Sequence, residues 1–176
     1  MKRHMKAAKI LILMGVTCSG KTAFGKVLSN RLEIPFFDGD ALHSKDNIDK
    51  MKRGNPLDDE DRWPWLQNIH QIVLDHTNDG VIIACSALKK SYRQVIQGST
   101  NIEFIYLKTD KKTIAQRLAL RTNHFMPSSL LDSQFEALEA PKSGCILDAT
   151  QTFEINADLV VSYLQKQYLV ENRLSV

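Results

Sequence analysis

Cysteine is scarce in this 176-residue chain, and the three present, Cys18, Cys85 and Cys145, are odd in number and far apart. There is no C-x-x-C pair and no histidine at metal-ligand spacing beside them, which excludes a disulfide framework and a finger-type zinc site. The expectation is a reduced, cytoplasmic protein. No apolar run approaches the ~18 residues of a membrane-spanning helix. The basic start MKRHMKAAK leads into only a short apolar stretch before Gly15, too short for the core of a secretory signal. Aromatic residues make up 7% of the chain and sit mainly in apolar runs. A nucleic-acid groove would interleave them with Lys and Arg, so neither nucleic acid nor a membrane is an expected partner. A net charge of +3 is too mild to name a ligand class. No repeat, low-complexity tract or Pro/Gly/Ser-rich linker divides the chain, and its length suits a single domain over residues 1–176.

What is present is an alternation. Strand-length apolar runs recur at Lys9–Met14, Ile34–Phe37, Val81–Cys85, Ile102–Leu107 and Cys145–Leu147. Between them, helical spacing marks Thr22–Leu32, Arg62–Leu74, Lys111–Leu120 and Ala157–Tyr168. Strands apolar on both faces, separated by helices, predict an α/β three-layer sandwich with a parallel five-stranded sheet. Two polar segments interrupt the pattern, about 40–66 and about 117–141, and read as an acceptor-binding insertion and a lid at the edge of the sheet.

Residues Gly15–Thr22 read GVTCSGKT, between a strand and a helix, and fit G-x-x-x-x-G-K-[ST]. Such a turn aims backbone N–H groups and the positive end of a helix at an anion. Gly15, Val16, Thr17, Cys18, Ser19, Gly20, Lys21 and Thr22 are therefore the candidate phosphate loop of a P-loop NTPase-type fold, with ATP as the expected nucleotide. Lys21 would reach the β- and γ-phosphates, and the Thr22 hydroxyl would ligate Mg²⁺. Cys18 is either a reactive thiol beside the phosphates or simply a small side chain that the turn tolerates.

The second strand ends FFDGDALH, which puts Asp38 and Asp40 on one face at its carboxyl end, where ligands of open parallel sheets sit. Asp38 is the candidate for holding Mg²⁺ through water. Asp40 would take a proton from, or orient, an attacking hydroxyl; alternatively it caps a helix over Ala41–Arg53. His43, Lys50, Arg53 and Arg62 give the insertion a cationic side suited to a carboxylate or polyol, unless they are solvated charges. Lys89 and Arg93, four apart in CSALKKSYR, extend this set. Arg117 and Arg121, also four apart, would cover the transferring phosphoryl group from the lid, or else only complement a helix dipole. The adenine would lie near Arg121 and the Asp148–Thr152 loop.

A switch GTPase would use the same loop, but it needs Asp-x-x-Gly, and no glycine here has an aspartate three residues before it. The sequence resembles the gluconokinase family of small P-loop kinases, relatives of shikimate kinase. The matching blocks are GVTCSGKT, FFDGDALHSKDNIDKM, PLDDEDRWPWL, CSALKKSYR, FIYLK, RL with RTNHF, and LLDSQFEALEAP. Cys18 stands where such kinases often carry glycine. The resemblance implies ATP-dependent phosphorylation of the 6-hydroxyl of D-gluconate and a homodimer; a kinase for shikimate or a nucleotide shares the same frame.

Overall fold

The computed structural model describes residues 9–120 and 129–174. Strands β1 (Ile10–Met14), β2 (Phe36–Asp38), β3 (Val81–Ala84), β4 (Glu103–Lys108) and β5 (Cys145–Asp148) form one sheet in the order β2-β3-β1-β4-β5. Every pairing among them is parallel. The helices are α1 (Lys21–Leu32), α2 (Lys45–Lys52), α3 (Asp59–Asp75), α4 (Lys90–Gln97), α5 (Lys111–Ala119), α6 (Ser129–Ala137) and α7 (Phe153–Leu174).

The period-2 geometry of a strand divides β1 between two cores. Ile10, Ile12 and Met14 pack with Trp65, Leu66, Ile69 and Val73 of α3 and Tyr92 and Ile96 of α4. Leu11 and Leu13 face the other way, toward Phe24 and Leu28 of α1 and Val160 and Leu164 of α7. Each such aliphatic side chain, fully withdrawn from water, contributes about 1.5–3 kcal/mol. The three layers of the expected sandwich follow directly from this two-sided strand.

Two elements of the insertion begin elsewhere than the spacing predicts. Asp40 does not cap a long helix: residues Gly39–Leu42 form a single 3-10 turn, and α2 starts later, with the Ser44 side chain accepting from the backbone N–H of Asn47. Helix α3 begins at Asp59 rather than Arg62 because Asp58 and Asp61 form a reciprocal capping box. Pro64 sits inside α3. The lid region is partly helical, as α6, and its Arg121 lies outside the described residues.

Candidate active site

Strand β1 runs straight into the glycine loop. Gly15 has φ +145°, and a Cβ there would stand 2.9 Å from the Leu107 carbonyl oxygen, so only glycine lets the loop leave the sheet here. Its N–H donates to the Ser86 carbonyl at 3.2 Å, tying the loop to the end of β3. Gly20, at φ +97°, caps α1 from the left-handed region. Cys18 also occupies that region, with φ +55°, and packs against the Val16, Leu88, Ile114 and Leu131 cluster. Lys21 reaches back across the loop and donates to the carbonyls of Gly15 at 2.9 Å and Val16 at 2.8 Å. Burial pushes its pKa down, against the pull of Asp40 foremost among the nearby acids.

The end of β2 meets this loop from the side. Thr22 Oγ1 donates to Asp38 Oδ2 at 2.8 Å, while Asp38 Oδ1 accepts from the backbone N–H of Asp40 at 3.1 Å. One carboxylate therefore links the helix that follows the loop to the turn that carries Asp40. Two hard oxygen donors this close, at the mouth of an anion-binding loop, suit Mg²⁺ and fit no softer metal better. Gly39, between the two aspartates, lies too near the Ala84 carbonyl to carry a side chain, and its own carbonyl accepts from Trp65 Nε1 at 2.7 Å. Trp65 in turn stacks on His43, with centroids 4.2 Å apart and planes 13° off parallel.

These groups converge. Thr17, Lys21, Asp40, His43, Arg62, Trp65 and Ser86 line one cavity of about 320 Å³, closed on the lid side by Leu130, Ser133 and Gln134 of α6. That volume is at the small end of ligand pockets. Gln134 Oε1 accepts from the Thr17 N–H at 2.7 Å, so α6 is fastened to the phosphate loop itself. The sequence offered no sign of this contact, since it spans 117 positions; DSQFEALE reads only as a helix with an apolar side.

The other predicted cations take different places. Lys50 donates to Asp58 and Asp61, and Lys89 to Asp59. Arg93 donates to the carbonyls of Ala87, Leu88 and Glu139. None of the three lines the cavity. The hydrogen bond that Lys50 donates to the Asp61 carboxylate, with the one to Asp58, raises the Lys50 pKa, and the Asp61 N–H, with Lys50 helping, holds Asp58 down at about 2. Arg62 differs: its Nη1 donates to the carbonyls of Leu57 and Asp58 and to the Tyr92 hydroxyl, and its side chain still borders the cavity. Arg117 donates to the carbonyls of Cys18 at 3.2 Å and Ala149 at 2.6 Å, bracing the glycine loop against the turn after β5. Cys85, next to the loop, is an inert thiol, its pKa pushed up to about 12 by burial.

A family model described as Shikimate kinase matches residues 17–146. The thermosensitive gluconokinase of Escherichia coli K12 is 47% identical over 140 residues, which span 78% of this chain and 75% of that protein. The thermoresistant gluconokinase of the same strain is 42% identical over 152 residues, 85% of each chain. Among solved structures, a gluconokinase from Sinorhizobium meliloti 1021 superposes with a TM-score of 0.83 at 36% identity, covering 96% of this chain and 97% of that one. The chain belongs to the gluconokinase family. Its fold is accordingly that of a P-loop kinase, an α/β enzyme. The blocks that carry the gluconokinase resemblance are also those that build the cavity. GVTCSGKT supplies Thr17 and Lys21, FFDGDALH supplies Asp40 and His43, DRWPWL supplies Arg62 and Trp65, and LLDSQFEALE supplies Gln134.

Proposed function

We propose that this chain transfers the γ-phosphoryl group of ATP to the 6-hydroxyl of D-gluconate, releasing 6-phospho-D-gluconate and ADP. The observation that carries this reading is the meeting of Lys21 and Asp40 in one cavity, a cation on the phosphate side facing a carboxylate on the acceptor side. Asp40 orients the acceptor hydroxyl and takes its proton as the oxygen attacks phosphorus. Lys21, with the backbone N–H groups of Gly15–Thr22, holds the phosphates and offsets the charge that spreads over the equatorial oxygens. Thr22 and Asp38 would hold Mg²⁺, which neutralises phosphate charge when bound. Arg62 and His43 contact the sugar acid, with Arg62 the cation for its carboxylate. Lys50 and Lys89 act by fixing the insertion, and Arg93 by tying the segment after β3 to the segment after α6, each through the partners it already has. Arg121 covers the transferring group from the lid, and Arg117 supports it by bracing the loop.

The alternative acceptors, shikimate and nucleotides, are disfavoured by the gluconokinase relatives. Among the described residues no helix is long and apolar enough to cross a membrane. A cytoplasmic location and a homodimer complete the reading. The test is ADP release against a panel of sugar acids, shikimate and nucleoside monophosphates, with gluconate expected to be preferred. Asp40→Asn should retain ATP binding and lose gluconate phosphorylation by on the order of 10²–10⁴. Activity within a few-fold of the unmutated enzyme removes Asp40 from its role, and preference for shikimate or a nucleotide rejects the substrate.

A further inference from the structure

We propose that Asn47 is a positioning residue that fixes the tautomer of His43, so that the imidazole offers an Nε2–H donor to the acceptor substrate. The inference rests on the assignment of His43 to the acceptor side of the site. Asn47 is 6% exposed, and its backbone N–H is held by Ser44 Oγ at the start of α2. Its side-chain Nδ2 donates to the Asp61 carbonyl at 2.8 Å. A carbonyl carries no hydrogen, so this end of the amide is the NH₂ group. The same nitrogen stands 3.4 Å from His43 Nδ1. An amide nitrogen has no lone pair to accept with, so Nδ1 must be the accepting ring nitrogen, and the ring hydrogen then sits on Nε2. Stacking on Trp65, itself pinned by Gly39, holds the ring in this plane.

The charged groups around His43 are Asp40 from the same turn, Arg62 from α3, Lys21 from across the cavity and Asp61 behind Asn47. Burial lowers its pKa, with Asp40 opposing and Arg62 assisting. A neutral ring matters here because an imidazolium would pair with Asp40 and hold that carboxylate away from the hydroxyl it must deprotonate. An uncharged Nε2–H instead donates to an acceptor oxygen and leaves Asp40 available.

Long-range ¹H–¹⁵N spectra of the intact enzyme, labelled at histidine and recorded without substrate, read the tautomer directly; His43→Gln assigns the signals. The expected result is an Nε2–H tautomer throughout pH 6–8. Asn47→Asp should move the hydrogen to Nδ1 and raise the pKa. It should also lower kcat/KM for gluconate about tenfold, the scale of one lost hydrogen bond, with a new pH dependence and an unchanged KM for ATP. An Nδ1–H ring in the unmutated enzyme, or one that titrates with an ordinary histidine pKa, overturns the proposal. So does an Asn47→Asp enzyme with unaltered tautomer and pH profile. Should Asn47→Asp fail to fold, Asn47→Ser, too short to reach the ring, is expected to give mixed tautomers, and a pure Nε2–H signal there overturns the assignment. If the unmutated enzyme does not phosphorylate gluconate, the substrate reading falls while the spectrum still decides the role of Asn47.

Discussion

Gly39 leaves no room for a methyl group. A Cβ there would stand 2.5 Å from the Ala84 carbonyl oxygen, a backbone atom that cannot yield without moving β3. Asp38 and Asp40 flank it, so any shift made to relieve the clash displaces both carboxylates at once. Gly39→Ala is expected to lower kcat on the order of 10²-fold, the cost of misplacing a reacting group by about 1 Å, with nucleotide affinity little changed. Single-turnover rates beside an ATP-binding titration check this; a fall in affinity with normal turnover would contradict it. Trp65 supports the same turn from below. Trp65→Phe keeps an aromatic face for His43 but leaves the buried Gly39 carbonyl without the Nε1–H, a loss of about 1–3 kcal/mol, measurable by urea unfolding.

Among the elements, α3 has the most telling start. Its cap Asp58 accepts from the Asp61 N–H and from Lys50, which together hold its pKa at about 2 against an ordinary 3.8. A carboxylate whose folded pKa is depressed stabilises the fold fully above its unfolded pKa, and loses that contribution as pH falls through the folded one. The melting temperature of the unmutated protein should therefore drop between about pH 4 and pH 2, and Asp58→Asn, which can still cap, should show a shallower drop over that window. Equal slopes in a pH series of thermal melts would contradict the assignment. The same helix marks a limit of sequence reading. Apolar spacing over Arg62–Leu74 revealed the buried body of α3, whereas its first turn, all acidic, is written in capping chemistry that periodicity does not register. The five strands were legible because each is an apolar run, and the phosphate loop because its glycines and lysine are a local pattern. Gln134 on Thr17 and Asn47 between His43 and Asp61 were not, because each joins segments whose approach depends on the finished fold.

At the scale of the whole molecule, Arg117 joins three regions: it projects from α5 and grips both the glycine loop and the turn after β5. A lysine has one compact ammonium in place of a planar fork and cannot serve both carbonyls in the same geometry. Arg117→Lys is thus expected to raise KM for ATP about tenfold with a much smaller change in kcat, as initial-rate kinetics will show. The sheet order has a consequence of another kind. β1 is translated first and yet lies in the middle, with partners that follow it by about 70 residues in β3 and about 90 in β4. At a ribosomal rate of 5–20 residues per second, this wholly apolar strand waits roughly 5–20 s for its second neighbour to be made. Gly15 cannot find the Ser86 carbonyl until β3 has emerged, so the glycine loop cannot set while the nascent chain is short. During that interval the growing polypeptide is a natural client for whatever shields apolar segments at the exit tunnel, and slowing synthesis between Ser86 and Lys108 would prolong its exposure.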